Sequence, residues 1–129
     1  MERVKDGSAM IAGMTPVLVE GRFAFVTFDG DVPPELVQTA VSIFREVEGV
    51  SLIVPSELAP NEPAMRMITL NVFSSLDGVG LTAAASAALA EADIACNMVA
   101  AFHHDHIFVP EDCADRALIV LKGRAAAEG

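Results

Sequence analysis

Apolar and polar positions along the chain change period several times, and each change predicts an element. Pro16-Val17-Leu18-Val19 and Arg22 to Phe28 are β-rich runs on either side of Glu20-Gly21, and they predict a strand pair with a tight turn. Asp29-Gly30-Asp31 closes it. Pro33 and Pro34 suit the first turn of a helix, where missing amide protons matter little. Leu36, Val37, Ala40, Val41, Phe44 and Val47 then recur at helical spacing, which predicts a helix ending at Gly49. Val50 to Val54 reads as a short apolar strand. Pro55 to Pro63 carries three prolines and reads as a linker.

After the linker the outline repeats. Met65 to Phe73 predicts a strand, Gly80 to Ala92 a helix, Ile94 to Phe102 a strand, His106 to Val109 its hairpin partner, and Pro110 to Lys122 a closing helix. Glu111, Asp112 and Asp115 crowd the start of that last helix while Lys122 and Arg124 sit at its end, the polarity the helix dipole favours. The tail Ala-Ala-Ala-Glu-Gly is expected to fray. Strand, helix and strand in each half, with helices too few to cover both sheet faces, predict an α+β architecture of the split-βαβ kind. The expected division is an N-terminal module at 1–62 and a C-terminal module at 63–129.

Composition narrows what such a chain does. With 129 residues, 53% of them hydrophobic, it has enough apolar surface for a proper core. Its 18 Asp and Glu against 8 Lys and Arg leave a net charge of -10, which repels phosphate backbones, and it has no Trp or Tyr to stack bases on. Nucleic acid is therefore not an expected partner. Cys96 and Cys113 are too few for a disulfide framework and too far apart for a CxxC site, so they read as thiols in a reducing compartment. The first residues hold no apolar run long enough for a signal peptide, and no later run is long enough to span a bilayer. A cytoplasmic protein without membrane partners is expected.

Two stretches carry candidate chemistry. Asp77-Gly78-Val79-Gly80 turns the chain directly into the Ala-rich predicted helix, whose first amides must point at the turn, a ready place for a small anion. Two glycines also make an ordinary turn, and the alanines an ordinary close-packed helix. His103-His104-Asp105-His106 is the second stretch. On a strand His104 and His106 share a face, a spacing that could hold zinc for a hydrolytic site. The competing reading is a hairpin with Asp105 bonding nearby amides. Ser74, Ser75 and Ser86 have no GxSxG context, no P-loop or GxGxxG follows a strand, and the cysteines show no activation signature, so an enzyme is not expected.

The run SSLDGVGLTAAASAALAEADIACNMVAAFHHDHIFVP closely resembles the short, two-module ACT-domain proteins of bacteria, through Val79, Gly80, Leu81, Thr82, Asn97, His104, Asp105, His106 and Pro110. The first half resembles the same proteins through Pro16 with Gly21 and through EVEGVSLIVP at Glu46 to Pro55, with Val47 and Ser51 as departures. The resemblance implies a ferredoxin-like pair of tandem ACT-type modules that bind amino acids or similar small ligands without catalysis, cofactor or metal. It implies a ligand loop at Leu76, Asp77, Gly78, Val79, Gly80 and Leu81. It adds Asn97 from the matching strand, and Asp105 with Phe102 beside it by similarity to animal amino-acid sensors of related fold. Amides at the helix start would hold a carboxylate while Asp77 or Asp105 paired with an ammonium, a combination that selects zwitterions. Open sheet edges in such modules predict a homodimer. Two further readings stand beside this one: a metal-dependent enzyme using His104 and His106, and a pure protein-interaction module.

Overall fold

The computed structural model describes residues 6–72 and 78–129. In chain order its elements are α1 (Gly7–Ala12), β1 (Pro16–Leu18), β2 (Phe23–Phe28), α2 (Pro34–Thr39), β3 (Ser42–Arg45), β4 (Val50–Pro55), β5 (Met65–Leu70), α3 (Leu81–Glu91), β6 (Asn97–Ala100), β7 (Asp105–Pro110) and α4 (Ala114–Glu128). Short 3-10 turns at Ser56–Leu58 and Glu111–Cys113 follow β4 and β7. The chain divides into two units. One comprises the described parts of Met1–Glu20 and Arg66–Gly129, the other Gly21–Met65.

In the first unit the strands lie in the order β1, β5, β7, β6. β1 runs antiparallel to β5 with Leu18 opposite Ile68, and β6 antiparallel to β7 with Ala100 opposite Asp105. The helices cover one face. α3 buries Leu81, Ala85 and Leu89, spaced by four, and α4 buries Ala114, Ala117 and Leu121, spaced by three and four. These meet Ile68, Leu70, Ile107 and Val109 of the sheet and Met10, Ile11 and Met14 from the N-terminal end in one core. β5, α3, β6, β7 and α4 make a ferredoxin-like βαββα run whose last strand is supplied by β1, from far upstream.

The end of α3 has a specific device. Asp93 takes a left-handed conformation (φ 61°), while the amides of Asp93 and Ile94 donate to the carbonyls of Ala90 and Leu89. This is a Schellman closure with Asp93 where glycine usually stands, and buried Ile94 lies against Leu89 in the same core.

In the second unit the order is β3, β4, β2. β2 pairs with β4 from Phe23 opposite Pro55 to Phe28 opposite Val50, and β3 pairs with β4 from Ser42 opposite Ile53 to Arg45 opposite Val50. Phe23, Ala24, Leu52, Ile53 and Val54 are buried, and α2 buries nothing.

Four expectations from the pattern need correction. The strand pair around Glu20-Gly21 is not a hairpin: β1 joins β5 and β2 joins β4, because Pro16 and Leu18 fit opposite Leu70 and Ile68. The helix expected to reach Gly49 stops at Thr39, and Ser42–Arg45 is a strand instead. The Glu46 and Gly49 main chains bond each other across a turn in which Gly49 has φ 153°, and a Cβ there would lie 2.6 Å from the Phe28 carbonyl oxygen. The closing helix does not fray after Lys122; it continues to Glu128, which accepts from Ser8 Oγ at 2.8 Å and from Arg124 at 3.0 Å. Finally, α1 was not expected at all. Asp6 caps it through the Ala9 amide, and Met10, Ile11 and Met14 bury at helical spacing.

Candidate functional site

The turn into α3 is built by Gly80, which has φ 116° and serves as the N-cap with no side-chain bond to the helix. Its carbonyl accepts the first helical bond, from the Ala84 amide at 2.9 Å. The Leu81, Thr82 and Ala83 amides precede that bond and have no acceptor within the helix itself. Leu81 is buried and anchors the turn below, while Val79 stands 80% exposed above it. Gly7, the first residue of α1, closes against this turn, and a Cβ on Gly7 would collide with the Val79 carbonyl. No reading of the turn by itself could have found that neighbour. The signal was Asp6 followed by apolar residues at positions 10, 11 and 14.

Asp105 is the buried carboxylate of the described residues, 8% exposed. Strand alternation puts it on the same face of β7 as Ile107 and Val109, the face that carries α3 and α4. His106 faces the other way, with Nδ1 2.9 Å from Thr69 Oγ1. Burial lowers the pKa of His106 below the usual imidazole value; neighbouring His104 lowers it further, and Asp105 opposes the shift. Burial likewise pushes the Cys96 thiol up, away from the reactive thiolate.

The candidate residues thus fall into three places. Gly78, Val79, Gly80 and Leu81 form the turn and helix start. Asn97 sits on β6 and donates through Nδ2 to the Phe108 carbonyl at 3.2 Å, a bond that ties the hairpin. Phe102 stands 60% exposed at the hairpin tip, edge-on to His103 with ring centres 5.2 Å apart, and Asp105 begins the returning strand. Leu76 and Asp77 lie outside the described residues. The rings of His104 and His106 are 6.4 Å apart, and no group of three or more His, Cys, Asp or Glu among the described residues is arranged to hold a metal ion.

Sheet order, helices on one face and a glycine turn opening the first helix define a ferredoxin-like α+β module. Two family signatures, each described as an ACT domain, match the chain at residues 4–64 and 64–123. A crystal structure of a protein of unknown function from Vibrio cholerae, described as a possible transport protein, is 35% identical, with a TM-score of 0.80 over 92% of this chain and 94% of that one. The chain belongs to the ACT-domain family and carries two such domains in tandem. A protein from Agrobacterium tumefaciens shares the fold at 14% identity, with a TM-score of 0.72 over 85% of this chain and 87% of that one. The regulatory subunit of aspartate kinase from Thermus flavus shares it at 10% identity, with a TM-score of 0.66 over 85% and 96%. No curated protein matches the chain in sequence. ACT domains are in general regulatory, ligand-binding and non-catalytic. Among the described residues no helix is long and apolar enough to cross a membrane.

Proposed function

We propose that this chain is a non-catalytic regulatory protein that binds a small zwitterion, an amino acid, at the turn into α3. The observation that carries this reading is the turn itself, where left-handed Gly80 opens α3 with no side-chain cap of its own; Asp105 is buried on the sheet face that carries the helix. The amides suit a carboxylate and the aspartate an ammonium. Leu76, Asp77, Gly78, Val79 and Leu81 complete the proposed loop, with Asn97 and Phe102 at its hairpin side. In sequence terms we divide the chain into modules at 1–62 and 63–129, and place the ligand in the second.

The test is a thermal-shift screen against the twenty amino acids, with zinc included. A ligand at a hundred times its dissociation constant adds about 2.7 kcal/mol, several degrees in a small domain. One or two amino acids should raise the melting temperature, and Gly80→Val and Asp105→Ala should each abolish the shift while Asn97→Ala reduces it. A shift with zinc alone would favour the histidine hairpin, and none at all would favour a protein-interaction module. We further propose a cytoplasmic homodimer joined through an open sheet edge, with ligand sites near the joint. Light scattering after size exclusion should give twice the 13.5 kDa chain mass.

A further inference from the structure

The Gly21–Met65 unit holds two arginines, Arg22 and Arg45, against seven carboxylates and no lysine. Its sheet also leaves one face partly uncovered. Phe25 and Thr27 of β2 lie opposite Ile53 and Ser51 of β4, and Phe44 of β3 lies opposite Ser51, so by pairing they share that face. Phe25 is 41% and Phe44 69% exposed. A recess of about 470 Å³ runs along β2, lined by Phe25, Val26, Thr27 and Phe28 with Ser51 and Glu62. A second recess, of about 400 Å³, lies at the other end of β2, between Arg22, Ser56, Glu57, Pro60 and Glu62. Glu62 lines both.

Together they follow β2 for its length. Six residues of extended chain span roughly 20 Å, the scale of a peptide segment rather than of a single small molecule. The carboxylates of Glu57 and Glu62 have no hydrogen-bond or ion-pair partner among the described residues. Ser51 by contrast is engaged by Glu46. Glu62, which shares a recess with the exposed Phe25, and Glu57, in the second recess with Glu62, suit a lysine or arginine side chain whose stem lies on the ring and whose head meets a carboxylate. A second copy seated groove to groove is a poor occupant, because it would set Glu57 and Glu62 against the same two acids.

We propose that this groove, from Phe25 and Thr27 past Glu62 to Arg22 and Glu57, is a docking surface for an extended, lysine- or arginine-bearing segment of a partner protein. It shares no residue with the turn into α3 and gives a regulatory chain a surface through which to act.

The experiment uses the full chain and a fluorescein-labelled heptapeptide alternating lysine and valine, with a glutamate–valine peptide as its charge-reversed control. Anisotropy should show saturable binding of the lysine peptide only, weakening as salt rises. The double variant Glu57→Gln/Glu62→Gln should weaken it about tenfold or more, and Phe25→Ala severalfold. The double variant Glu91→Gln/Asp115→Asn, which removes two exposed acids from the other unit, should leave affinity within about twofold. Amide shifts in NMR should cluster at residues 22–28 and 51–62. Equal loss in both double variants would reduce the effect to general attraction by net charge and overturn the proposal. So would the absence of saturable binding, or full displacement of the peptide by free lysine at millimolar concentration, which would assign the groove to a small cation. An amino-acid shift at Gly80 and Asp105 stands or falls independently of these outcomes.

Discussion

The two units follow one strand, helix, strand plan and spend their apolar residues in opposite ways. In the unit formed by the chain's ends, α1, α3 and α4 press Met10, Leu81, Leu89 and Leu121 into a core with Ile68 and Ile107. In the Gly21–Met65 unit, α2 buries nothing, while Val37, Val41, Ile43, Phe44 and Val47 stand exposed. Apolar content therefore does not mark a core. What marks it is whether a helix lays its apolar residues over the sheet: α1, with six residues, buries Met10 and Ile11, whereas α2, also with six, buries none.

The largest effect that tests this contrast is Leu121→Ala against Val47→Ala. Leu121 is fully buried and Val47 fully exposed. Truncating the first should lower stability by about 2–5 kcal/mol, whereas the second should stay within about 0.5 kcal/mol, both read by urea denaturation. Equal losses would mean that Val47 is covered in solution. A smaller effect compares two glycines, one per unit. Gly49→Ala places a methyl group 2.6 Å from the Phe28 carbonyl oxygen at φ 153°, and should lose about 1–3 kcal/mol. Gly7→Ala meets the Val79 carbonyl, but alanine also favours the helix, so its net loss should be nearer about 1 kcal/mol. A loss at Gly7 equal to that at Gly49 would show that α1 cannot shift against the turn into α3.

Those residues also explain how much of the molecule was legible in the sequence. The stretch from Leu81 to Pro110 was readable in kind, because α3 runs eleven residues of strong helix formers behind a glycine turn and the hairpin is a specific motif. The second half of the expected helix at Leu36 to Val47 was not. Ile43 and Phe44 lie on opposite faces of an edge strand and both are exposed, so no alternation of apolar and polar residues betrays the strand. α1 was missed because six residues are short for a periodic signal, and its partner Val79 is remote in sequence. The pairing of β1 with β5 was hidden for the same reason: a strand's neighbour is set by which faces complete a core, and that information lies some fifty residues away. In the candidate site, the glycines and Asp105 were legible as residue types, while the contact of Gly7 with the turn was not.

The smallest effect concerns the tail, where the sequence suggested fraying and α4 instead continues to Glu128. Glu128 sits at a helix C-terminus, where the dipole disfavours a negative charge, so some contact must outweigh that tendency. The hydrogen bond from Ser8 is the larger cause holding its carboxyl below the ordinary value of 4.5, and the bond from Arg124 is the next. Because the folded pKa is depressed, the contribution is present above the unfolded value and is lost as pH falls through the folded one. NMR titration should therefore find Glu128 protonating at lower pH than an ordinary glutamate. Ser8→Ala should return it most of the way and Arg124→Gln part of the way, each with little change in stability at neutral pH. An unchanged titration in Ser8→Ala would mean that the Ser8 tether between α1 and α4 does not persist in solution, leaving α1 held by buried Met10 and Ile11 and by the contact of Gly7 with the turn into α3. The α2 helix offers the matching control: its Thr39 hydroxyl donates only to its own Glu35 carbonyl, so removing that hydroxyl should leave Glu128 untouched.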